Sequence, residues 1–131
     1  CVERSGRLRA INRRRWRLGE LDERLDSRNT PAREVFLALK KRLAIRRGEP
    51  CFHPDAPQRV LPAPPALLVV ERGPLADGRR LLAIHNVSDQ RQPLAVAALA
   101  AGELFDLLEN GPWAPVESLA PYRTLWLVQT P

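Results

Sequence analysis

Residues 66–88 read ALLVVERGPLADGRRLLAIHNVS, two apolar runs, ALLVVER and RRLLAIHNVS, on either side of GPLADG. Short runs rich in Leu, Val and Ile and bounded by turn residues are strand signals. The Asp77-Gly78 pair in the connector is a hairpin signal, because a tight turn between antiparallel strands needs residues that tolerate positive φ. Downstream the rhythm continues: QPLAVAAL follows the turn SDQR, then come ELFDLL, the loop ENGPWAP, VESL and YRTLWLVQT. This is close to the spacing of all-β sandwiches. It predicts a mainly β protein with six to eight antiparallel strands in a C-terminal sandwich.

Upstream of the hairpin the period changes. CFHPDAPQRVLPAPP, residues 51–65, reads as a proline-rich linker. Before it, Leu18, Leu21 and Leu25 recur at helical spacing, and Glu20 stands four residues before Arg24 for a favourable surface pair. DSRNTP breaks that helix. A second one starts at Thr30, a capping residue, followed by Pro31, which suits the first helical position. Its apolar residues are Ala32, Val35, Phe36, Leu39 and Leu43, and the stop signal GEP ends it near Gly48. Two helices without partners cannot bury their apolar faces. The helical part therefore reads as belonging to something larger, with self-association through that face expected when the partner is missing.

Composition narrows the function classes. The chain has 131 residues, no methionine and a formal net charge of +6. The missing methionine reads as a piece of a longer polypeptide. There is no apolar run long enough for a membrane span and no apolar stretch behind the basic start that would make an export signal, so the chain reads as soluble. Two cysteines, too few for a disulfide scaffold, make a reducing cytoplasm the expected location. The positive excess is local: residues 1–48 hold 15 Lys plus Arg against 6 Asp plus Glu, and residues 49–131 hold 6 against 9. Five arginines fall within SGRLRAINRRRW, residues 5–16, which invites a nucleic-acid reading. Against it, Arg outnumbers Lys 19 to 2 throughout, a compositional bias, and a single tryptophan makes a poor stacking surface for bases. No nucleic-acid or membrane partner is expected.

The residues that could carry chemistry do not assemble into a motif. Glycoside chemistry needs two carboxylates across a cleft; Asp22, Glu23 and Asp26 read as a solvated helix face, and Glu103, Asp106 and Glu109 lie along a strand and turn. His53 and His85 have no nucleophile motif beside them, and Cys1 and Cys51 have no zinc-ligand spacing. Asn86-Val87-Ser88 matches a glycosylation sequon but reads as a strand entering a turn. Trp126, between Leu125 and Leu127, reads as core; Trp113, in a Gly/Pro loop, reads as packing over the sandwich edge, with a sugar platform as its functional alternative. No catalytic residue, metal or cofactor is called for.

Three stretches carry a resemblance. GRLRAINRRRW is similar to a GRxRxINR segment, VFLALKKRLAIRRGEPCFHPDAPQ to a final barrel helix and its exit, and LLAIHNVSDQ with LAPYRTLWL to strands of a C-terminal β domain. Together they resemble the C-terminal part of glycoside hydrolase family 13, the α-amylase family, in its sucrose phosphorylase and glucosylglycerate phosphorylase-like branch. The resemblance implies that residues 1–48 are the tail of a catalytic (β/α)8 barrel and residues 49–131 the family's all-β domain. It further implies a parent enzyme that transfers an α-glucosyl group between a glucoside, such as sucrose or glucosylglycerate, and phosphate, with its catalytic carboxylates outside this stretch. By the same resemblance Arg13 pairs with an acidic residue under the glucose subsite and holds the sugar, with Asn12 beside it, although Ala10 stands where many relatives have Asp. The fragment itself is then not catalytic, and its β domain stabilises the barrel; a carbohydrate-binding module is the rival reading, and an Arg-rich nucleic-acid binder a more distant one.

Overall fold

A computed structural model of the chain describes residues 6, 15–28, 30–94 and 103–129. Helix α1 spans Leu18–Asp26 and helix α2 spans Pro31–Gly48. The Thr30 hydroxyl accepts a hydrogen bond from the Arg33 amide at 3.3 Å, which caps α2 where the sequence predicts its start. No residue of either helix is buried. Two compact units are distinguished, Cys1–Lys41 and Arg42–Pro131, the division falling inside α2.

In the first unit, the Arg24 guanidinium lies 4.7 Å from the centre of the Trp16 ring, a cation–π contact on the solvated face of α1. The Arg33 guanidinium donates to the Leu25 carbonyl, tying the start of α2 to the end of α1.

The described residues of the second unit form eight strands: β1 (Gln58–Leu61), β2 (Leu67–Arg72), β3 (Arg80–Asn86), β4 (Gln92–Pro93), β5 (Phe105–Asp106), β6 (Gly111–Pro112), β7 (Ser118–Leu119) and β8 (Thr124–Gln129). Six form one antiparallel sheet in the order β1-β2-β3-β8-β5-β6, and β4 pairs with β7 in a second. The opening stretch folds as the hairpin β2–β3, with Val69 opposite Ile84 and Val70 opposite Ala83. Its connector turns as expected: Asp77 Oδ1 accepts from the Arg79 amide at 3.0 Å, and Gly78 has φ +82°. Gly73 has φ +97°, and a Cβ there would stand 2.8 Å from the Arg79 carbonyl oxygen, so only glycine fits.

The proline-rich stretch 51–65 is not a linker throughout. Pro50–Phe52 form a 3-10 turn, and Gln58–Leu61 form β1. Pro57 and Pro62 bracket four residues that, among the described residues, pair on one side only, which is where a sheet tolerates neighbouring prolines. Arg72 fastens this segment, donating from Nε to the Cys51 carbonyl at 2.6 Å and from Nη2 to the His53 carbonyl at 2.7 Å.

Strands β3 and β8 are apolar on successive residues because both sheet faces are covered. Leu67, Val69, Leu82, Ile84, Leu125 and Leu127 pack on one face with Leu104 and Leu119, and Leu119 belongs to the small sheet. On the other face Leu81, Ala83 and Trp126 pack with Cys51 and Leu108, joined by Ile45 and Phe52. Burying each such Leu or Ile contributes about 1.5–3 kcal/mol. Trp126 is core, as its alternation with two leucines predicts.

Candidate functional site

Arg13 and Asn12, together with Ala10, lie outside the described residues. The other candidates can be placed. Asp22, Glu23 and Asp26 are exposed along α1. Glu103 is exposed as well, whereas Asp106 is buried and its Oδ1 accepts from the Leu108 amide at 2.8 Å and the Glu109 amide at 3.3 Å. That carboxylate closes the turn after β5. Glu109 pairs with Arg123.

His53 sits in an exposed turn, its Nδ1 accepting from the Asp55 amide at 3.2 Å. His85 is half-buried, with Nδ1 3.1 Å from the Thr124 hydroxyl across the β3–β8 pair; burial lowers its pKa and favours the neutral ring. Asn86 of the sequon is consumed inside the fold. Its Nδ2 reaches the carbonyls of Gln90 at 2.7 Å, Ala120 at 2.9 Å and Leu119 at 3.1 Å, while Oδ1 accepts from the Ser88 amide and hydroxyl. The side chain splices the end of β3 to the segment after β7, and that is its role here.

Two buried carboxylates were not singled out by the sequence. Glu49 accepts a two-pronged hydrogen bond from Arg79, Nε at 2.9 Å and Nη2 at 2.6 Å, and one from the Cys51 amide at 3.1 Å. Burial pushes its pKa up, but these donors outweigh burial and hold the carboxyl below its ordinary value. The Arg79 pKa is raised in turn, first by its hydrogen bond to Glu49. Burial, and then the Glu49 carboxylate, push the Cys51 thiol up to about 11, so it stays protonated and inert. Glu71, 2% exposed, accepts from Arg59 Nε at 3.0 Å, with Arg80 Nη1 at 3.7 Å. In sequence Glu49 belongs to a helix stop signal and Glu71 ends an apolar run. Nothing local marks either as paired, because their arginines come from other strands and turns.

These pairs fasten elements of the fold to one another. Among the described residues, no group of three or more His, Cys, Asp or Glu side chains is placed to hold a metal ion. Among the same residues, no helix is long and apolar enough to cross a membrane.

The described residues do form a cleft of about 410 Å³ at one end of the β unit. Half-buried Trp113 lines it, over the apolar side chains of Leu119 and Leu125. Asp106, Glu109, Arg91 and Arg123 supply its charged groups. Trp113 packs against the first core, as its loop position predicts, and still contributes surface to this opening.

No family model matches the chain. A glucosylglycerate phosphorylase of Allomeiothermus silvanus is 33% identical over 127 residues, covering 96% of this chain and 21% of that protein. One from Escherichia coli is 28% identical over 129 residues, covering 96% of this chain and 22% of that protein. The chain thus spans about a fifth of the length of the curated relatives it matches. Crystal structures of AmyP, one with maltose and one of a variant with maltotriose, align over 79% of this chain with TM-scores of 0.65 and 0.64. At 19% identity that likeness speaks for the fold alone. Over nearly its whole length the chain is therefore similar in sequence to a part of two glucosylglycerate phosphorylases, and over most of its length it shares a fold with part of AmyP.

Proposed function

We propose that the chain works as the C-terminal part of an α-glucosyl phosphorylase, in which residues 1–48 complete the catalytic barrel and residues 49–131 form a β domain that stabilises it. The observation that carries this reading is the match of 96% of the chain to about a fifth of two glucosylglycerate phosphorylases. The exposed helices are in keeping with it: Val35, Phe36, Leu39 and Leu43 are between 45% and 63% exposed, and apolar side chains in such number call for a covering surface. The reaction, retention of the α configuration during transfer between a glucoside and phosphate, is carried by carboxylates outside these residues.

Arg13 is the residue of this chain proposed to touch substrate, with Asn12 supporting it. A guanidinium can hold a carboxylate and sugar hydroxyls in one fixed plane, which suits a subsite that admits a single glucosyl unit.

The purified chain alone should release no glucose 1-phosphate from sucrose or glucosylglycerate with phosphate, and turnover by it would overturn the proposal. Substituted for its counterpart in the A. silvanus phosphorylase, the chain should support phosphorolysis. Arg13→Ala in that chimera should lower kcat/KM by about tenfold to a hundredfold, the worth of one hydrogen bond to a charged group.

A further inference from the structure

We infer that the cleft beside Trp113 is a binding site for a neutral pyranoside, separate from the proposed catalytic role and contained wholly within the β unit. Its volume, about 410 Å³, falls within the range of roughly 300–1,000 Å³ typical of small-molecule pockets. Such pockets are apolar at the base with a few converging polar groups. That is the arrangement here: Leu119 and Leu125, both buried, lie under the opening, and an indole forms part of the wall.

The polar groups choose the ligand class. Arg91 and Arg123 are balanced by Asp106 and Glu109, so the charged side chains lining the cleft sum to zero. Arg123 already donates to Glu109, and Asp106 Oδ1 is held by two backbone amides. A phosphate or carboxylate at Arg123 would have to displace Glu109, and one at Arg91, which donates to the Ser118 hydroxyl at 3.4 Å, would add a negative charge to a lining that already holds two carboxylates. A neutral ring bearing hydroxyls meets no such cost. Its C–H face has an aromatic surface to lie on, and its hydroxyls can donate to Glu109 and accept from the guanidiniums. A purely apolar ligand would remove water from those charged groups and offer them no hydrogen bond in return.

The site is tested on the 131-residue chain itself by following its tryptophan indole N–H signals in NMR titrations, with the Trp113 signal assigned from Trp113→Leu. Methyl α-glucoside or maltose should shift the Trp113 signal saturably and leave those of Trp16 and Trp126 in place. Arg123→Gln, a half-exposed position whose loss leaves the core intact, should weaken the affinity about tenfold or more. Trp113→Leu should abolish saturable shifts of the backbone amide signals of the other lining residues, Glu109 and Arg123 among them, while the circular dichroism of the strands is kept. Glucose 1-phosphate and cyclohexanol are the comparison ligands, and both should bind more weakly than the neutral sugar. No saturable shift with either sugar would overturn the assignment. So would tighter binding of glucose 1-phosphate, or affinity unchanged by Arg123→Gln.

Discussion

At the scale of single residues, the Glu49–Arg79 pair explains how the end of α2 is tied to the β2–β3 connector. The carboxylate is buried, and three donors hold it. Arg79→Ala removes two of those donors and leaves a buried charge, so the chain should lose about 3–5 kcal/mol in urea unfolding. The pair also sets a pH dependence whose sign follows from the lowered Glu49 pKa. Its stabilisation is fully present above the ordinary value of 4.5 and is lost as pH falls through the depressed folded-state value. The urea midpoint should therefore fall on acidification below about pH 4.5, and less steeply in Glu49→Gln, compared by tryptophan fluorescence. The sequence marks Glu49 only as part of GEP. Thirty residues separate it from its partner, and no local pattern carries that information. Asn86 teaches the converse lesson: its sequon is plain to read, yet its amide is occupied by three carbonyls of the fold.

Among the elements, the β2–β3 hairpin was the most legible. Alternation was not the signal, because both faces of β3 are covered and its apolar residues run consecutively. The signal was the pair of short runs around Asp77-Gly78. Gly73, at the other end of the connector, has a more stringent need, since any Cβ would press on the Arg79 carbonyl oxygen. Gly73→Ala should cost about 1–3 kcal/mol, seen as a lowered thermal midpoint, whereas Ala at Gly19, where nothing stands within 4 Å, should not destabilise. Strand β1 was hidden because its four residues carry no pattern of their own and lie between prolines; pairing with β2 makes it a strand. Strand β6, Gly111–Pro112, was likewise hidden inside a Gly/Pro loop, where only its pairing with β5 identifies it.

For the whole molecule, the second unit has two packed cores, while α1 and α2 bury none of their residues. Apolar surface of that extent, left without a cover, drives association. The isolated chain should sediment as a concentration-dependent oligomer, and Leu39→Glu with Leu43→Glu should return it toward the monomer. A monomer at all concentrations would count against the idea that this helix face is normally covered.

The amino-acid sequence by itself determined the β class, the helix starts at Leu18 and Thr30, the core position of Trp126 and the family resemblance. Each of these rests on periodicity, turn chemistry or motif within a short window. Tertiary structure alone decided the pairing of Glu49 with Arg79 and of Glu71 with Arg59, the existence of β1, and the cleft that gathers Trp113, Glu109 and Arg123. The physical reason is common to all of these. Ion pairs, edge strands and clefts are made by groups far apart along the chain, and only folding brings them within the few ångströms over which hydrogen bonds and packing act.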